Sequence, residues 1–179
     1  MLTMSANRAT LLIVDFQARL MPAIDGGEAV LVNARKLLDA AAMLDVPAHF
    51  TEQNAKGLGP TMPDLAPANP ARVQHKMSFD AVRAGGFLER TPKNRSVVVA
   101  GCEAHVCVLQ TCLGLIDASR RVYLVRDAVG SRRAESKETA IRRLEKHGAE
   151  IVTTEMVLFE WIETAEHPRF REVLKLVKS

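Results

Sequence analysis

Short, uninterrupted apolar runs rich in β-branched residues alternate along this chain with longer segments of helical periodicity, and that alternation constrains the fold more than any other feature. Thr10-Leu11-Leu12-Ile13-Val14 and Ser96-Val97-Val98-Val99-Ala100 are apolar at consecutive positions rather than at every second one. A strand of that kind has to be covered on both faces, as in the middle of a parallel sheet. From Ala29 to Leu44, apolar residues at 30, 31, 34, 37, 38, 41 and 44 keep helical spacing, and Pro47 follows the stop. The pattern predicts further strands at Pro47–Thr51, Val73–Lys76, Arg121–Val125 and Ala149–Thr153. Helices are expected at Ala104–Ser119, at Glu135–His147 with Gly148 as its stop, at Met156–Ile162, and at Arg169–Val177 behind Pro168. Phe79–Arg90 reads as a short helix broken by Gly85-Gly86, and residues 54–70, crowded with proline and glycine, read as a long loop.

At 179 residues and 47% hydrophobic composition the chain suits one domain, 1–179 with its core at about 9–178, and has enough core to fold without disulfides. The net charge of +3, with acids and bases interleaved, and an aromatic content of 4% argue against a nucleic-acid partner. No apolar stretch approaches the ~18 residues of a membrane span, and Met1–Arg8 does not read as a signal peptide. Three cysteines, an odd number, fit a reducing compartment, so a cytoplasmic location is expected.

In an open parallel sheet, ligands bind just past the carboxyl ends of the strands. That rule singles out Asp15-Phe16-Gln17, Glu52-Gln53, Lys76, the stretch Gly101–Cys107, and Asp127. Asp15 follows five apolar residues, where a carboxylate needs a partner or a task, although a helix cap or a solvated strand end would also account for it. Cys107 falls about one turn into a helix, where the dipole favours a thiolate; a buried core cysteine is the alternative. Cys102, Cys107 and Cys112 step by five, about 140° of helix rotation, so they share no face and make a poor metal cluster. No metal or cofactor is expected. No G-x-G-x-x-G follows the first strand, which weighs against a dinucleotide-dependent oxidoreductase.

The order of Asp15, Lys76 and Cys107, the last within Gly101-Cys102-Glu103-Ala104-His105-Val106-Cys107-Val108, resembles the isochorismatase-like cysteine hydrolase superfamily over nearly the whole chain. Thr51-Glu52-Gln53, Gly57-Leu58-Gly59-Pro60-Thr61, Gly101-Cys102-Glu103-Ala104 and Asp127-Ala128 with Ser131 look most like its isochorismatase domain-containing proteins. The resemblance implies a Rossmann-like three-layer sandwich: a six-stranded parallel sheet flanked by helices on both faces. It also implies an Asp15, Lys76, Cys107 triad, a cis peptide at Cys102-Glu103, and an oxyanion hole from the backbone N–H groups of Glu103 and Cys107. Nicotinamidases of this superfamily carry a metal site of Asp and His after the second strand, and Thr51-Glu52-Gln53-Asn54 lacks the histidines. The implied function is hydrolysis of a small amide-like or acyl substrate by Cys107, with a non-catalytic small-molecule-binding or scaffold protein as the alternative. Phe16, Gln17, Glu52, Gln53, Phe79 and Ala104 are expected to line the substrate pocket. The family usually forms homo-oligomers, so a dimer or tetramer is expected, with Phe159 and Trp161 as interface candidates.

Overall fold

The computed structural model describes residues 2–178. Six parallel strands, β1 (Ala9–Val14), β2 (Ala48–Gln53), β3 (Val73–Lys76), β4 (Ser96–Cys102), β5 (Val122–Gly130) and β6 (Glu150–Val152), form one sheet in the order β3-β2-β1-β4-β5-β6. The two most apolar strands, β1 and β4, lie side by side at its centre. The helices are α1 (Gly27–Met43), α2 (Ala55–Leu58), α3 (Phe87–Arg90), α4 (Leu109–Asp117), α5 (Ala134–Lys146), α6 (Thr154–Ile162) and α7 (Phe170–Lys178).

Both faces of the central strands are buried, which explains their continuous hydrophobicity. Leu11 and Ile13 of β1 and Val98 and Ala100 of β4 join the core under α1, α6 and α7. Leu12, Val14, Val97 and Val99 join the core under α3, α4 and α5. The doubly covered parallel sheet expected from the apolar runs is therefore the fold observed. Trp161, expected at a subunit interface, is 2% exposed and belongs to its own chain's core, whereas Phe159 is partly exposed.

Three local expectations differ. The strand expected to stop near Val125 runs on to Gly130 through an irregularity in its pairing: Val99 faces Leu124 and Gly101 faces Val129. While β4 advances two residues β5 advances five, and the odd surplus of three reverses the side-chain alternation, so Val125 and Ala128 both enter the α1-side core. Asp127 thus lies inside the strand, where its Oδ1 accepts from the Thr154 N–H at 2.8 Å and the Thr154 hydroxyl at 2.9 Å, anchoring the first turn of α6. Second, the helix expected over 79–90 exists only as α3. Gly85 and Gly86 adopt φ of 81° and 87°, and Gln74 Nε2 donates to the carbonyls of Ala81 and Gly85, holding this stretch in turns. Third, the helix expected from Ala104 opens with a π-helical turn, Ala104–Val108, before α4 begins.

Candidate active site

The site is built by strand register. Val14 pairs with Thr51, and Gln53 with Lys76, so the carboxyl ends of β1, β2 and β3 deliver Asp15, Thr51 and Lys76 to one place. Immediately after β1 the backbone enters the left-handed region at Asp15 (φ 52°), a conformation that aspartate tolerates better than most residues. Asp15 Oδ1 accepts from the Thr51 hydroxyl at 2.5 Å, and Oδ2 accepts from Lys76 Nζ at 2.7 Å. The side chains of Asp15 and Lys76 are both 0% exposed.

Cys107 approaches from the other side. Gly101 lets β4 close on β1: a Cβ there would lie 2.6 Å from Val14 Cβ and collide with the Val14 carbonyl oxygen. The chain continues through a cis Cys102–Glu103 peptide into the π-helical turn. The Cys107 side chain is 7% exposed, and Asp15 and Lys76 are near enough to act on its thiol in opposite senses.

The thiolate expected from the helix position is not the favoured resting form. Burial, and then the Asp15 carboxylate, push the Cys107 thiol well above its ordinary range, with Lys76 only partly opposing them. Burial likewise pushes Cys102 up to about 12 and raises Cys112, and neither has exposed surface. Iodoacetamide should therefore alkylate only Cys107 in the native protein. Without substrate, its rate should be slower than that of a free thiol at pH 7 and still be rising above pH 9, because a raised pKa shifts thiolate formation to higher pH. Peptide mass spectrometry across pH checks this; a plateau near pH 8.5 would contradict the burial argument.

The remaining expected pocket residues divide. Gln17 is fully buried, and its side chain fastens the 54–61 segment: Nε2 donates to the carbonyls of Gln53 (3.1 Å) and Gly59 (2.7 Å), while Oε1 accepts from the Gln53 N–H (2.9 Å). Glu52 Oε1 accepts from the N–H and hydroxyl of Thr61, both at 2.7 Å, and Oε2 lies 3.3 Å from His75 Nδ1. Both side chains organise the loop. Gln53 Nε2 donates to the Met77 carbonyl at 3.3 Å. Phe16 is buried in the α1-side core, whereas Cys107 belongs to the core on the other side of the sheet. Phe79 is 46% exposed and follows Lys76 closely in the chain, while Ala104 is buried at the start of the π-helical turn. Thr51 and Thr61 were read from the sequence only as members of longer motifs and not as site residues, and the Arg132 contact with Glu103 was not read at all; for Thr51 the available signal was a hydroxyl at a strand end immediately before Glu52-Gln53.

Among the described residues no three His, Cys, Asp or Glu side chains are grouped to hold a metal ion, and no helix is long and apolar enough to cross a membrane. A cavity of about 670 Å³ lined by Asp80, Arg83, Gln110 and Asp117 lies along α4 and includes none of Asp15, Lys76 or Cys107.

Residues 9–156 match the isochorismatase domain. The chain belongs to the isochorismatase family. Isochorismatase domain-containing protein 2 of Danio rerio is 35% identical over 97% of this chain and 89% of that protein, and its human counterpart is 34% identical over 96% and 83%. A solved structure described as the MAR1 ribonuclease from Caenorhabditis elegans superposes with a TM-score of 0.92 at 33% identity, covering 99% of this chain and 93% of that one. The isochorismatase-like fold spans essentially the whole chain.

Proposed function

We propose that this isochorismatase-family chain is a hydrolase in which Cys107 attacks a small amide-like or acyl substrate. One observation carries the reading: an ion pair with no exposed surface, Asp15 and Lys76, is built at the carboxyl end of the sheet, and both its members act electrostatically on the Cys107 thiol. Burying a charge pair costs more in desolvation than its attraction returns in most folds, so its placement against a potential nucleophile points to a chemical task.

The roles follow from what each group can do. As Sγ bonds to the carbonyl carbon, the thiol proton passes to the Asp15 carboxylate and the carbonyl π electrons move onto oxygen, toward the backbone N–H groups of Glu103 and Cys107. Collapse of that intermediate expels the amine, which takes the proton back from Asp15. Water then cleaves the thioester, so that overall water adds across one C–N bond. Lys76 holds Asp15 in place and keeps it from being a bare buried anion when the thiol is neutral. A raised thiol suits this scheme, because thiolate is needed only as the new bond forms. We place the protein in a reducing compartment as a homo-oligomer acting on small molecules.

The test is a panel of small amides, carbamoyl compounds and thioesters, with intact-mass detection of an acyl adduct. Turnover and an adduct confined to Cys107, both lost in Cys107→Ala, are expected. Ligand binding unchanged by Cys107→Ala, with no turnover anywhere in the panel, would favour the non-catalytic binding protein. The relative described as a ribonuclease makes single-stranded RNA a necessary arm. RNA cleavage surviving Cys107→Ala would overturn the acyl chemistry.

A further inference from the structure

The end of the sheet opposite Cys107 carries a cavity that the proposed chemistry does not use. It lies at the amino ends of β1, β4 and β5 and holds about 250 Å³. Arg8, Lys93, Arg95 and Arg121 line it, and no carboxylate is among its lining residues. The six residues of β1 separate it from Asp15 by roughly 20 Å of extended chain.

The walls of this cavity are fastened from behind. Tyr123, 2% exposed, donates its hydroxyl to the Leu2 carbonyl at 3.1 Å, and Arg121 donates to the same carbonyl through Nη2 at 2.6 Å, so the two hold the N-terminal segment that forms one wall. The Arg121 guanidinium is itself placed, 5.0 Å over the Tyr123 ring and with Nε donating to Glu150 Oε1 at 2.7 Å. Buried Arg120 donates to the carbonyls of Leu88, Thr91 and Pro92, which sets the 91–95 loop that carries Lys93 and Arg95. Arg95 Nη1 donates to the Ala9 carbonyl at 2.6 Å, so backbone and not an acid directs this guanidinium.

The positive charge gathered here is uncompensated. Arg8, Lys93 and Arg95 make no ion pair among the described residues. The two carboxylates whose charge reaches Arg121, Glu150 and Glu160, are already engaged, Glu150 by Arg121 itself and Glu160 by the Met4 N–H at 2.6 Å. The net charge of the chain is +3, so outside these three side chains acids and bases balance. Like charges around one small cavity repel, and a compact polyanion relieves that cost. The cations arrive from three separate segments, which suits a tetrahedral anion better than a flat carboxylate that one forked donor saturates. The volume lies below the ~300 Å³ at which drug-sized pockets begin, so there is room for a phosphate group with little attached. Tyr123 is the one aromatic residue in the lining and Arg121 covers its ring, which leaves no platform on which nucleic-acid bases could stack.

We propose that this cavity is a second binding site, separate from Cys107, for a phosphate group, either the free ion or a small phosphate monoester, held by Arg8, Lys93 and Arg95. The site does not depend on the reading of Cys107 as a nucleophile.

The test is amide NMR of the full chain at constant ionic strength, titrated separately with inorganic phosphate, glycerol 3-phosphate, acetate and a short single-stranded RNA. Saturable shifts at residues 5–8, 93–96 and 119–121 are expected with the two phosphates and not with acetate. Tighter binding of glycerol 3-phosphate assigns the site to a monoester, and tighter binding of inorganic phosphate to the free ion. Arg8→Gln and Lys93→Gln change exposed side chains without ion-pair partners, so both should keep the fold. Each should weaken phosphate binding about tenfold, the loss of one contact to a charged group. Shifts that grow linearly with every anion, midpoints unchanged in both variants, or saturable shifts confined to residues 101–107 or 131–136 would overturn the proposal. RNA binding at these residues more tightly than either phosphate would also overturn it, in favour of an open polyanion surface.

Discussion

Lys76→Met should lower the unfolding free energy by about 3–5 kcal/mol, the usual consequence of removing one partner from a fully buried pair. The Asp15 carboxylate, with no exposed surface, would keep the Thr51 hydroxyl as its side-chain donor. The methionine fills much of the space of the lysine stem, so the loss reports the unpaired charge rather than a cavity. Asp15→Asn should also destabilise, by leaving an ammonium buried without its counter-ion, and the double variant should recover much of the combined loss. Urea unfolding of the four proteins at pH 7 gives the coupling energy directly. A loss below about 1 kcal/mol for Lys76→Met would mean that water reaches the pair and that its energetics resemble those of a surface bridge. Turnover should disappear in both single variants. Recovery of stability without recovery of activity in the double variant would separate the two contributions of the pair.

Gly101→Ala should leave little folded protein, with a stability loss above about 4 kcal/mol. The added methyl would meet the backbone of Val14, and Val14 is the register partner of Gly101 across the two central strands. Neither strand has room to retreat, since both faces of each are packed. The φ of 155° at Gly101 adds backbone strain for any residue with a Cβ. The damage falls on the site as well, because Asp15 follows Val14 and the turn carrying Cys107 follows Cys102. Gly148→Ala is the control: its φ is also positive, at 95°, but an added Cβ meets nothing within 4 Å. It should cost only about 1–2 kcal/mol, the price of a left-handed non-glycine residue. Comparable losses at the two positions in thermal unfolding would show that conformation, and not the close approach of β1 and β4, sets the requirement for glycine.

The local sequence went furthest where one physical requirement dominates. Continuous apolar runs at residues 10–14 and 96–100 belong only in strands covered on both sides, and β1 and β4 are the two central strands. Helices with clear periodicity, α1 and α5, begin and end within two residues of the expected limits. The reading weakened where backbone partners lie far along the chain. The extension of β5 depends on pairing with β4 past a register shift, and the turns at 79–86 are held by Gln74, to which no local pattern points.

For the candidate site, the strand-end rule pointed to Asp15, Lys76 and the stretch Gly101–Cys107, and the family resemblance grouped Asp15, Lys76 and Cys107 as a triad. What distant contacts do to those side chains was not legible. Gln17 and Glu52 look like pocket residues in sequence, yet the fold turns them on Gly59 and Thr61 as loop fasteners. Phe16 follows Asp15 directly but packs into the core on the opposite side of the sheet from Cys107. The surroundings of the Cys107 thiol differ from the local expectation for the same reason. A helix position predicts a favoured thiolate, while burial against a carboxylate arriving from 92 residues away in sequence, between positions 15 and 107, pushes the thiol the other way. The sequence alone determined the layers and the chemical inventory, since hydrophobic pattern and residue type are local properties. Only the tertiary structure decided which polar groups face one another, because desolvation and Coulomb energies depend on distances that the chain sets across its length.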